Sequence, residues 1–232
     1  MKRLLLLLFL GLVLGFCPSA EAYEFEVINN EAAAKVQDHV SRIGFRILNA
    51  NAIDKRMVFY YDTTKTVNAV TTYRDRQIIF YRGLYNMVKT DDEIAAVLSH
   101  EISHAIDGYN GIFRGYFSYI PIVFNPKKYE YKSDKRAIDY MVKAGYHPAA
   151  MIVMMNKAFP QERFDWCGTH PLASRRMMEV YAYIYKKYPE YLVNNPYEKD
   201  VFYQNFLLNS KSNREKFKHS VETKSKGHVN YL

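Results

Sequence analysis

The chain has 232 residues, 49% hydrophobic and 16% aromatic, with 10 Gly and 8 Pro, which excludes collagen-like and low-complexity classes and is too apolar for overall disorder. Its 32 Lys and Arg outnumber 24 Asp and Glu for a formal charge of +8, but they are spread along the chain without the basic stripe expected of a nucleic-acid surface. The two cysteines, Cys17 and Cys167, are too few for a disulfide scaffold or a thiolate zinc finger.

Lys2 and Arg3 precede an apolar run from Leu4 to Phe16, and Ala20-Glu21-Ala22 follows. A basic start, a short apolar core and an A-x-A site describe a secretory signal over 1–22. The run is too short for the roughly 20 residues of a spanning helix. Cleavage after Ala22 and release to the periplasm or medium are expected, with Cys167 then the sole cysteine. The rival is a lipid anchor on Cys17, although Phe16 stands where a lipobox has a small residue.

The length suits one domain, expected over 23–210. Glu31 to Ala50 has helical periodicity, with Ala34, Val36, Val40, Ile43 and Ile47 on or near one face. Met57–Tyr61, Val67–Tyr73 and Gln77–Tyr81 are rich in β-branched and aromatic residues and predict short strands, the last two joined by Arg74-Asp75-Arg76. From residue 82 onward the pattern is helical. Thr90-Asp91-Asp92-Glu93 is a capping box, opening a helix that stops near Gly108. Pro126 opens the next, ended by Gly145. His147-Pro148 starts a Met-rich helix to about Phe159, and Pro171 another to about Tyr188. Val201 to Leu208 predicts a last helix, and the polar stretch 211–232 a flexible tail. The fold class expected is α+β, mostly helical, with a small antiparallel sheet. Residues 108–125 hold three glycines and a proline among many aromatics. They read as an aromatic loop on the core, with a substrate-facing lid or a peripheral membrane contact as the alternatives.

His100-Glu101-Ile102-Ser103-His104 matches H-E-x-x-H. With 7 histidines in the chain, about 0.01 such matches are expected by chance. Residues four apart on a helix are separated by about 40°, so both imidazoles face one way and can share a zinc ion. Glu101 lies roughly 100° from His100, close to the metal but badly placed to ligate it. That suits a base that takes a proton from water activated by the metal. The bland alternative, a buried helix with hydrogen-bonded histidines, must still pair two histidines and a glutamate among Ile94, Leu98, Ile102 and Ile106.

In the helix opened by Pro126, Glu130, Asp134, Ala137, Ile138 and Met141 share a face. Two carboxylates on an apolar stripe need partners. Glu130 is the candidate third ligand, and Asp134, one turn on, can accept from the outer nitrogen of a ligating histidine. The alternative is a surface edge with Lys132 or Lys135 as partners. Thr169-His170-Pro171 precedes a helix whose first turns carry Arg175 and Arg176, cations placed against the helix dipole. At least one Arg is therefore expected to be held by a carboxylate or aimed at a site.

Thr90 to Ala105, then Glu130-x-x-x-Asp134 followed by Ala144-Gly145-Tyr146, then Thr169-His170-Pro171 with Arg176, resembles the zinc metallopeptidases of the HtpX and CAAX-prenyl-protease type, metallopeptidase family forty-eight. Asn68-Ala69 is similar to the family's Asn-Ala pair. The resemblance spans roughly residues 31 to 187. It implies a zincin-like fold of the gluzincin class, one Zn2+ per chain on His100, His104 and Glu130, Glu101 as base, and His170 near the metal as a donor to the oxyanion or a resting cap on zinc. It also implies polypeptide substrates pairing with an edge strand near Asn68 and Ala69, drawn from unfolded or misassembled envelope proteins. No nucleic-acid partner is expected. Two rivals remain: a chaperone-like protein that holds substrates without cutting, and a structural zinc domain closed by Cys167 or His147 as fourth ligand.

Overall fold

Helix α1 (Glu31–Ala50) buries Ala33, Val40, Ile43, Gly44, Ile47 and Leu48, and leaves Ala34 exposed. The inward face is thus turned by one residue at its start from the expected stripe. At Gly44 the ring of Phe59 occupies the space any side chain would need, which lets α1 lie flat on the sheet. This computed structural model describes residues 31–72, 76–109, 126–159 and 173–224. The signal segment, Cys17, most of the aromatic stretch 108–125, Cys167 and His170 lie outside the described residues.

Three strands, β1 (Val58–Asp62), β2 (Ala69–Thr72) and β3 (Gln77–Tyr81), form one sheet in the order β1-β3-β2. The β2–β3 pair is antiparallel, with Val70 opposite Ile79. β1 joins the other side of β3 in parallel, with Phe59 opposite Ile78. The sheet is therefore mixed rather than antiparallel throughout. The β1–β2 connection leaves a slot one strand wide, and β3 returns into it running alongside β1. Ile78, Ile79 and Phe80 are all buried, so the central strand is covered on both faces.

The two sheet edges differ. On the outer side of β1 the Gln37 amide behaves as a piece of strand: Nε2 donates to the Phe59 carbonyl and Oε1 accepts from Tyr61 N–H, each at 2.7 Å. That edge is closed by α1, and β2 holds the other edge.

The short α2 (Arg82–Tyr85) leads to α3 (Asp91–Tyr109). Thr90 Oγ1 accepts from Glu93 N–H at 3.3 Å, and Glu93 Oε2 accepts from Lys89 N–H at 3.0 Å, so the capping box reaches one residue further back than usual. Ile94, Ala95, Ala96, Leu98, Ile102 and Ala105 are buried around the axis of α3. It packs against α1, β2, α4 (Pro126–Lys143) and α5 (Ala150–Ala158). Such a helix, apolar all round, is the centre of the molecule. α4 ends in a Schellman turn, with Tyr146 N–H on Met141 O at 2.9 Å, Gly145 N–H on Val142 O at 3.0 Å, and Gly145 at φ +76°.

Helices α6 (Ala173–Lys187), α7 (Glu190–Val193), α8 (Val201–Asn209) and α9 (Lys211–Glu222) complete the described chain. Asp200 Oδ1 caps α8 by accepting from Phe202 and Tyr203 N–H. The expectation of a flexible tail from residue 211 is overturned for 211–222. One apolar side chain anchors that polar helix: Phe217 is 1% exposed and stands edge-on to Tyr185 at 5.4 Å. Arg214 ties its first turn to Leu207 O and Ser210 Oγ. Among the described residues no helix is long and apolar enough to cross a membrane.

Candidate metal centre

The inner face of α3 meets α4, and their side chains converge. His100 Nε2 and His104 Nε2 are 3.0 Å apart. Glu130 Oε2 is 3.5 Å from the first and Oε1 3.3 Å from the second. The three residues' ligand atoms all lie within 4.8 Å of one another. Ligand atoms about 2.0–2.1 Å from a tetrahedral zinc stand about 3.3 Å apart, so the spacing suits this ion. The donor set, two imidazole nitrogens and a carboxylate, suits it as well. Two facing nitrogens beside a carboxylate need a shared positive charge between them, and the residues present fit a bound cation.

Behind these three stands a second layer. Asp134, 1% exposed, places Oδ1 2.9 Å from His100 Nδ1, close in distance but not aligned as a straight hydrogen bond. Arg176 Nε and Nη2 donate to the two oxygens of Asp134 at 2.8 and 2.7 Å, a bidentate pair. Its Nη1 lies 3.0 Å from Glu130 Oε2. Ser133 Oγ is 3.5 Å from His104 Nδ1. Arg176 thus clamps Glu130 and Asp134 of α4 from the first turn of α6. The lysines flanking Glu130 are engaged elsewhere, Lys132 with Asp107 and Lys135 with Glu179.

The electrostatics follow from burial and pairing. Burial pushes the Asp134 carboxyl up, but Arg176 and His100 outweigh it and hold it below its ordinary value. Burial pushes the His100 imidazole down, and the two carboxylates reverse this, raising it to about 10. Without metal, the cluster therefore keeps a proton where a cation fits, and metal uptake must displace it. With a divalent ion bound, the ion and Arg176 together balance Glu101, Glu130 and Asp134.

Glu101 lies beside the cluster and is turned toward the sheet. Its Oε2 accepts from Thr71 Oγ1 at 2.6 Å, and the same hydroxyl lies 3.0 Å from the Glu101 carbonyl. Residues 31–112 match the model of peptidase family M48. No curated protein matches the chain. The matched segment runs from α1 through the sheet and the whole of α3, so it includes His100, Glu101 and His104 but ends before Glu130.

The other expected site residues fall as follows. Ala69 begins β2 and Asn68 precedes it, exposed, its Oδ1 accepting from Ala69 N–H at 2.9 Å. His147 does not join the cluster. It approaches Asn194 O at 3.2 Å and packs on Tyr191 and Tyr197, because it serves the turn into α5. Thr71 was not singled out by the sequence. The available signal was its position two residues after Ala69, which in a strand puts both on one face. Also unforeseen was the buried pair of Lys157 Nζ with Glu93 at 2.8 and 2.9 Å.

Proposed function

We propose that the chain is a zinc-dependent endopeptidase, exported after cleavage at Ala22 and acting on unfolded or misassembled envelope polypeptides. The observation that carries this reading is the convergence of His100, His104 and Glu130, backed by Asp134 and Arg176, next to a carboxylate that is not a ligand. The match of residues 31–112 to a peptidase family supports it.

A zinc ion held by His100, His104 and Glu130 supplies Lewis acidity, polarising a carbonyl and making water nucleophilic near neutral pH. Asp134 lies against the outer nitrogen of His100, and Arg176 keeps Asp134 ionised and orients both it and Glu130. Glu101 takes the proton from the attacking water and delivers it to the departing amine. The polypeptide lies along β2. Asn68 O accepts from Tyr81 N–H at 3.2 Å, so by the alternation of an antiparallel ladder Asn68, Val70 and Thr72 face β3. The main chains of Ala69 and Thr71 then turn to the outer edge, where an extended substrate can add as a strand.

Casein is the test substrate. The full chain is expected to hydrolyse it, to stop when a chelator strips the metal, and to recover when one equivalent of zinc returns. Hydrolysis that survives complete removal of metal would contradict the proposal.

A further inference from the structure

We infer that Thr71 is a positioning residue for the base: its hydroxyl holds one oxygen of Glu101 and leaves the other to move the proton. The inference rests on the peptidase reading above and goes beyond it, since it makes a side chain of the sheet part of the proton-transfer apparatus. The bond from Thr71 Oγ1 to Glu101 Oε2 is 2.6 Å, well within the range of a hydroxyl donating to a carboxyl oxygen. A hydroxyl has one proton, and the carboxylate is its better acceptor. The Glu101 carbonyl, 3.0 Å away, is the competing acceptor for that proton.

A glutamate has three side-chain torsions, and a base works only when its oxygen stays within hydrogen-bond reach of the proton it takes. Among the described residues, the side-chain hydrogen bond to the Glu101 carboxylate comes from off the helix. The restraint comes across 30 positions of sequence, from the strand at the sheet edge opposite β1. At Thr71 the main chain faces that edge while the side chain faces Glu101. The residue where a substrate strand would pair is therefore the residue that orients the base. A threonine suits this, because its branched Cβ favours the strand and restricts χ1, so the hydroxyl is aimed at little entropic cost.

Three zinc-loaded full-length chains are compared: wild type, Thr71→Val, which keeps the shape and loses the hydroxyl, and Thr71→Ser, which keeps the hydroxyl. Thr71→Val is expected to hold one zinc per chain and the wild-type KM for a casein-derived peptide. Its kcat should fall about 10–100-fold, the scale of a misplaced catalytic group. Thr71→Ser should restore kcat to within about threefold of wild type. Crystal structures of the metal-free wild type and Thr71→Val supply a readout independent of turnover: the Glu101 carboxylate should leave its place at β2 in the valine variant. An unmoved carboxylate, an unchanged kcat in Thr71→Val, or a serine variant as slow as the valine one would overturn the inference. If wild type itself cleaves nothing, the peptidase reading falls, and the position of the carboxylate alone decides the role of Thr71.

Discussion

Glu130 and Asp134 are one helical turn apart and do different things, which makes them separable by substitution. Glu130 offers its oxygens to the same point as two imidazoles, whereas Asp134 reaches only the far side of the His100 ring. Glu130→Ala is expected to lower zinc content below one per chain after dialysis. Asp134→Ala should weaken zinc about 10–100-fold in competition with a chromogenic chelator, while still binding one ion. Full occupancy in Glu130→Ala would remove it from the ligand set. The pairing of His100 with His104, and of Glu130 with Asp134, on one face of its helix was legible in the sequence, because helix geometry brings residues four apart together. The contact between Thr71 and Glu101 was not. It depends on how a strand lies over a helix, and neither residue's neighbours in sequence reveal the other.

Among the elements, two buried arrangements at the ends of α3 and α5 carry consequences. Lys157 reaches from the end of α5 to Glu93 in the first turn of α3, and both side chains are almost wholly buried, at 2% and 1% exposed. Removing either partner strands a charge in the interior. Glu93→Gln and Lys157→Met are each expected to cost about 3–5 kcal/mol in urea unfolding, and the double variant much less than their sum. Additive losses would show that the pair is not coupled. At the entry to α5, His147 Nδ1 accepts from Ala149 N–H at 3.3 Å and its Nε2 faces Asn194 O, an arrangement that requires the neutral ring. Burial lowers its pKa from the ordinary 6.5, against the opposing pull of Asn194 O and Asp92. A lowered folded value means this contribution to stability is complete above pH 6.5 and is lost as pH falls through the folded value. The ring-proton resonances of His147 should therefore titrate below pH 6.5, and a midpoint at or above that value would contradict the arrangement. The strands themselves were readable from their β-branched and aromatic runs. Their order was not, because placing β3 between β1 and β2 is a choice among long-range pairings to which local pattern is blind.

For the molecule as a whole, α3 ties the sheet, α1, α4 and α5 together, and its second half carries the two histidines of the candidate metal cluster. The polar segment after Ser210 illustrates why composition missed a helix there: Phe217 in a slot beside Tyr185, with Arg214 on Leu207 O and Ser210 Oγ, docks a helix most of whose other residues are exposed. Phe217→Ala is expected to cost about 3–5 kcal/mol and to release that helix, seen as faster amide exchange over 211–222 with little change in zinc content. Loss of zinc in this variant would mean that the helix supports the centre as well as the fold.

That this cluster holds zinc for hydrolysis with Glu101 as the base is tested most directly by casein turnover in Glu101→Gln measured at known zinc content. One zinc per chain is expected in both proteins, with turnover in wild type and loss of it in the variant, because the substitution removes a base and leaves the ligands in place. Equal turnover by the two proteins at equal zinc would contradict it.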